Sequence, residues 1–134
     1  MECNKTAMKY YINKTVDIPF DKALEKVTLA LKEEGFGVLT QIDVSSTLKQ
    51  KLDVDFRPYM ILGACNPNFA HQALQHEDKI GTMLPCNVIV QQLEDKVEIS
   101  AVDPIASMQA VENESLGDLA TQVRAKLERV VAAV

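Results

Sequence analysis

Towards the C-terminus, Leu116, Leu119, Val123, Leu127, Val130 and Val134 recur every three or four residues, the spacing of one face of an α-helix. Ser115-Leu116-Gly117-Asp118 at its start resembles a capping box with Asp in the place of Glu. The helix so predicted has about 20 residues and is on the order of 30 Å long. An apolar stripe of that length is unstable in water and broad enough to cover much of a sheet. The rest of the chain must therefore supply strands to meet it.

It does so in neighbouring pairs. Met8 to Ile18, rich in Tyr, Ile and Val, reads as a first strand. Over Pro19 to Glu34 the period changes. Phe20, Leu24, Val27 and Leu31 fall at helical spacing with Ala23 and Ala30 beside them, and Gly35 suits the left-handed residue past a helix end. Phe36 to Val44 alternates, with Val38, Thr40, Ile42 and Val44 on one side and Leu39, Gln41 and Asp43 on the other. Ser45 to Leu52 suits a short helix capped by Ser45 or Ser46. Tyr59 to Ala64 reads as a buried strand. Asn66-Pro67 then places a capping residue before a proline at the first helical position, and the helix predicted from there to about Glu77 buries Phe69, Ala70, Ala73 and Leu74. Cys86 to Leu93 and Val97 to Val102, joined by Glu94-Asp95-Lys96, form a hairpin. The predicted fold is α+β, with the order β-α-β-β-α-β-β-α. It is a mainly antiparallel five-stranded sheet with the long helices on one face, formed by a single domain over 8–134 after a short tail, 1–7.

Charge and composition narrow the function classes. The chain has 134 residues, a formal net charge of −5, and 14 Lys and Arg that form no run. Phosphate backbones and anionic membranes need a dense cationic face, so neither nucleic acid nor membrane is an expected partner. No apolar run approaches the roughly 18 residues of a membrane-spanning helix. Met1-Glu2-Cys3-Asn4-Lys5 leads into no apolar stretch, so a cytoplasmic setting is expected. The three cysteines, Cys3, Cys65 and Cys86, include no Cys-x-x-Cys, which leaves neither a disulfide framework nor a zinc ribbon. Gly-rich nucleotide loops and Gly-x-Ser-x-Gly are absent.

The residues with chemical reach gather at two short stretches. Cys65 stands one position before the expected cap Asn66, where helix amides favour an anion. Cys86 opens the strand that follows the intervening helix. If the strand ending at Ala64 pairs antiparallel with the one starting at Cys86, both thiols lie at the same end of the sheet. Each is followed by an asparagine, Asn66 or Asn87, able to add hydrogen bonds. One interpretation is a redox pair, a metal-ligand pair or a single nucleophilic thiol. The other is two small buried residues at strand ends, since cysteine often behaves as a small hydrophobe. His71 and His76, five residues apart, lie about 140° apart around a helix and cannot share a metal as an i, i+4 pair does. His71, nearer the helix start, is the histidine placed to join the cysteines. Met60, Met83 and Met108 show no ligand spacing and read as core filler.

Gly63-Ala64-Cys65-Asn66-Pro67 and Leu84-Pro85-Cys86-Asn87-Val88, together with Gly35-Phe36, Tyr59-Met60-Ile61-Leu62 and Asp103-Pro104, resemble the bacterial domain-of-unknown-function family 302. The resemblance spans roughly 8–134. It implies a curved sheet backed by helices, similar to the saddle of TATA-binding protein, and a homodimer. It implies no activity, and fold likeness alone does not import DNA binding. Two functions follow as expectations. The first is a non-catalytic dimeric binding module with a cleft for a small molecule or partner. The alternative is a thiol-dependent redox or metal-linked protein using Cys65 and Cys86, with His71 as base or ligand.

Overall fold

The computed structural model describes residues 9–134. The expected tail 1–7, with Cys3, and the expected strand start at Met8 lie outside the described residues. The elements run β1 (Tyr11–Val16), α1 (Phe20–Glu33), β2 (Gly37–Asp43), α2 (Val44–Leu52), β3 (Tyr59–Cys65), α3 (Pro67–His76), a 3₁₀ turn (Asp78–Met83), β4 (Cys86–Gln92), β5 (Val97–Val102), α4 (Pro104–Ser107) and α5 (Ser115–Ala132). The five strands form one sheet in the order β1-β5-β4-β3-β2, every neighbouring pair antiparallel. This is the α+β fold expected. None of its helices is long and apolar enough to cross a membrane.

The stripe on α5 finds its sheet. Leu116, Leu119, Val123, Leu127 and Val130 are buried along it, with Ala120 and Val131. Val123, Leu127, Val130 and Val131 meet Val88, Val90, Val97, Ile99 and Ala101 of β4 and β5, all buried, and the inner face of α1, Ala23, Val27, Ala30 and Leu31, while Leu116 and Leu119 pack with Ala73 and Ile80. Each fully buried Leu or Val of this layer is worth about 1.5–3 kcal/mol of transfer free energy. Lys14 ties the end of α5 to the edge strand. It sits between Ile12 and Val16 on β1, and its Nζ donates to the carbonyls of Ala132 at 3.1 Å and Val134 at 2.9 Å. These are carbonyls that a helix end leaves unpaired and where a cation is favoured.

Gly35 does what its position predicts. At φ 87° it occupies the left-handed region. Phe36 N–H bonds Leu31 O at 2.9 Å and Gly35 N–H bonds Lys32 O at 3.0 Å, closing α1 in a Schellman turn. Four local expectations need correction. Asp43, not Ser45 or Ser46, caps α2 by accepting from Ser46 N–H at 2.9 Å, so the strand stops one residue sooner. The alternation of β2 breaks at a bulge between Val38 and Thr40: Val38 pairs with Ala64 on the helix side, whereas Thr40 and Ile42 pair with Gly63 and Ile61 on the open side. Ser115 lies inside α5 and caps nothing; its N–H is met by Asn113 Oδ1 at 3.1 Å. Leu74 is 43% exposed, because α3 turns Ala73 inward instead.

Gly63 is fixed by crowding rather than by its dihedrals. A Cβ there would collide with Thr40 Oγ1 and lie 2.9 Å from Pro85 Cγ. Since the proline ring cannot swing away, Gly63→Ala is expected to lower stability by about 1–3 kcal/mol. Thr40→Ala in the same chain should restore part of the loss. Urea denaturation of the two variants checks both expectations.

Candidate functional site

The pairing of β3 with β4 sets Ala64 opposite Cys86. Cys86 therefore shares the helix side of the sheet with Val88 and Val90, and Cys65 follows one residue along the neighbouring strand. Beyond Cys65 the chain turns through Asn66 into α3, with Pro67 at the first helical position, where no amide hydrogen is needed. α3 folds back over this end of the sheet, and α4 and the first half of α5 close the other side. Between them lies a cleft lined by both cysteines and Asn66, with Phe36, Phe69 and Met108 among the larger side chains. It encloses about 500 Å³ of space between atoms, open solvent included, of which about 40 Å³ takes the centres of water-sized molecules. The walls are almost wholly apolar. The cleft follows the seam between the main core and a smaller cluster of Ala73, Ile80, Leu116 and Leu119.

Cys65 and Cys86 are both half-buried free thiols. Burial pushes the Cys86 thiol up to about 11, and the neighbouring Cys65 adds to the rise. Cys86 is thus protonated at neutral pH and is no nucleophile there. Asn66 stands at the cap position of α3 but does not cap it. Its Nδ2 donates to the carbonyl of Glu34 at 3.4 Å, and it packs against Gly35. The Glu34 carboxylate in turn accepts from Arg129, whose Nε lies 3.2 Å from both oxygens and Nη2 3.0 Å from Oε1, and Lys126 Nζ lies 3.8 Å away. Arg129, and secondarily Lys126, hold that carboxyl below its ordinary range. One knot so joins the end of α1, the start of α3 and the flank of α5, beside the cleft.

Of the five candidate residues, the structure brings together Cys65, Asn66 and Cys86. Asn87 is exposed on the opposite side of the sheet, facing Gly63, because neighbours along a strand point to opposite faces. His71 is exposed on α3 and does not line the cleft, since Ala70 and Ala73 take the inner positions of that helix. Among the described residues no group of three or more His, Cys, Asp or Glu is placed to share a metal ion.

Three features of the surroundings escaped the sequence. Met108, read there as core filler, reaches the cleft wall. Asp103 is 9% exposed and holds α4 in place: Oδ1 accepts from Ile105 N–H at 2.9 Å and Oδ2 from Arg124 Nε at 3.0 Å. The Asp103-Pro104 pair is the same cap-and-proline signal as Asn66-Pro67 and was legible as such. On the open side of the sheet, Arg57 Nε donates to Gln91 Oε1 at 2.9 Å, Gln91 Nε2 to Glu98 Oε1 at 2.7 Å, and Asn13 Nδ2 to Glu98 Oε2 at 2.9 Å. The Arg57 guanidinium lies 4.5 Å from the ring centre of Phe56 and 5.7 Å from that of Tyr59.

A family profile described as "Domain of unknown function DUF302" matches residues 12–134. The chain belongs to the DUF302 family. Its structure is similar to the crystal structure of an uncharacterized conserved DUF302 protein from Bacillus stearothermophilus, with 28% sequence identity and a TM-score of 0.88, covering 94% of this chain and 98% of that one. No curated protein matches it significantly. In this DUF302 domain four of the five stretches that carried the family resemblance converge. Phe36, then Ala64, Cys65 and Asn66, then Leu84, Pro85 and Cys86, and finally Pro104 all line the one cleft.

The protonation of Cys86 has a measurable consequence. A thiol with a pKa of about 11 has about 100-fold less thiolate at pH 8 than an ordinary one at 9.0. Iodoacetamide should therefore modify Cys86 at pH 8 at least about 100-fold more slowly than a free model thiol, with the rate rising towards pH 11. Peptide mapping after timed alkylation gives the rate. Modification at the model-thiol rate would remove the account of Cys86 as a buried, neutral group.

Proposed function

We propose that this DUF302 domain is a non-catalytic binding module that takes a small, weakly polar ligand into the cleft between β3, β4, α3 and α5. The observation that carries this reading is the convergence of four separate stretches of sequence on one cleft with apolar walls. Packing alone asks for a filled seam, and binding sites are typically apolar hollows with a few placed polar groups. Here the two thiols are those groups, with Asn66 at the rim bonded away to the Glu34 carbonyl. Catalysis finds less support, since the cleft wall contains no carboxylate or imidazole to act as acid or base. The thiol-dependent alternative is favoured by Cys65 and Cys86 both lining the cleft but opposed by the neutrality of Cys86.

A homodimer belongs to the same reading, formed by the open side of the sheet. Its strand positions include Tyr11, Tyr59, Ile61 and Ile89 and one charged residue, Glu98, linked through Gln91 to Arg57. A chain of net charge −5 associates with itself most readily through a face where charge is balanced. Five strands of this length span about 24 Å by about 20 Å, roughly 480 Å² of the roughly 800 Å² per partner in a standard interface. The same balance argues against nucleic acid on that side, whatever the sheet shares with the TATA-binding-protein saddle.

Small apolar probes such as benzene, indole and short alcohols test the cleft. At ten times its Kd a probe adds about 1.4 kcal/mol, or about 3–5 °C in Tm for a domain of this size. Ala120→Met, which fills the cleft from α5, should abolish the shift while the variant still unfolds cooperatively. Sedimentation of the same samples should give twice the chain mass. Absence of any shift across the probe set, with a monomeric mass, would sink the proposal.

A further inference from the structure

We infer that residues 66–85 form a flap over the cleft, hinged at the sheet and latched at its far end by Asn113, and that opening of this flap admits the ligand. The inference rests on the cleft being a binding site and concerns the route into it. The need for a route comes from size. As it stands the cleft leaves about 40 Å³ to the centres of water-sized molecules, against the roughly 150 Å³ of a dry hollow that takes benzene. One wall has to give way.

The wall least bound to the rest is α3 with the 3₁₀ turn. The chain leaves the sheet after Cys65 and returns at Cys86. Cys86 lies opposite Ala64, and neighbouring strands are only about 5 Å apart. Both ends of the excursion therefore turn about one place, and it can swing without disturbing the strands. Among the described residues, no buried member of the main core comes from 66–85. Ala73 and Ile80 are buried instead in the smaller cluster, with Leu116 and Leu119 of α5. Phe69 alone of the excursion packs against both clusters. Segments with so few buried apolar contacts are the ones that open locally.

Two hydrogen bonds between described residues tie 66–85 to other parts of the chain. At the hinge, Asn66 Nδ2 donates to the Glu34 carbonyl at 3.4 Å. At the far end, Asn113 Nδ2 donates to the carbonyl of His76 at 2.8 Å, an acceptor that the end of α3 leaves unpaired. Asn113 is fixed from its other side. Its Oδ1 accepts from Ser115 N–H at 3.1 Å and its carbonyl from Leu116 N–H at 3.1 Å, both at the start of α5. One asparagine so bridges the end of α3 and the start of α5. The Asn66 bond lies at the pivot and survives a swing of the far end, whereas the Asn113 bond breaks.

Native-state hydrogen exchange of the full chain, read residue by residue by NMR, tests the flap. The amides of α3 should exchange as a group at least about 10-fold faster than those of Val88 and Val90 on β4. Asn113→Asp keeps the acceptor for Ser115 but cannot donate to His76, and should speed α3 exchange about 5-fold. Lys14→Ala removes bonds that survive opening, so it should speed exchange on β4 and leave α3 unchanged. With benzene as the probe, Asn113→Asp should raise the entry and exit rates by the same factor and leave Kd unchanged, because it destabilises the closed flap equally with the cleft filled or empty. Urea denaturation checks that each variant is folded. Amides of α3 that exchange no faster than those of β4, or that respond to Lys14→Ala as strongly as to Asn113→Asp, overturn the inference. If that happens while benzene still raises Tm in the parent and not in Ala120→Met, the flap is wrong and the binding module stands. If benzene does not bind, both fall.

Discussion

The pairing of Ala64 with Cys86 across β3 and β4 is the constraint on which the rest of the domain turns. It brings together two stretches of chain that are separated by α3 and the 3₁₀ turn, and it does so in a register fixed by burial. Leu62 faces Val88, and Met60 faces Val90, on the side where α1 and α5 close the core. A slip of one residue would turn Val88 and Val90 outward and lose several buried side chains at about 1.5–3 kcal/mol each. The thiols are placed by this register, as are the glycine under the Pro85 ring and the asparagine beyond Cys65.

Around that pairing, polar groups act at a distance from where local rules would put them. Asn66 leaves its own helix uncapped and bonds the end of α1, while Glu34 draws in Arg129 from α5. Asp103 fastens α4 to α5 through Arg124. Both knots flank the cleft without entering its chemistry. They hold its walls at fixed separation, which leaves the interior to apolar groups and sulfur.

The parts of this architecture set by periodicity were legible in the sequence. The stripe from Leu116 to Val130 and the α1 face follow from repeating burial, and the β4–β5 hairpin from its short polar join, whereas the strand order, with β1 beside β5, was not legible. The pairing of Ala64 with Cys86 was legible only as a condition, that the two strands run antiparallel. What escaped was set by contacts between distant residues. The bulge that turns Thr40 and Ile42 to the open side leaves no trace, because the edge strand β2 is exposed along most of its length and its alternation reads alike in either phase. The bond from Asn66 to Glu34 spans 32 residues, whereas capping preferences are local. His71 and Asn87 were chosen for nearness in sequence, and helix phase and strand alternation turn both away from the cleft. Met108 has no periodic neighbour to place it and is brought in by the turn that Asp103 anchors.

The central claim is that the seam beside Cys65 and Cys86 is a receptive site and not merely an imperfectly filled core. Crystals held under xenon pressure test this most directly, since xenon enters dry apolar hollows and is located by its electron density. The account predicts a xenon atom in van der Waals contact with Phe69, Cys86 and Leu119 in the parent chain and none there in Ala120→Met. A parent structure with no xenon at that position, or with the same occupancy in the filled variant, would contradict it.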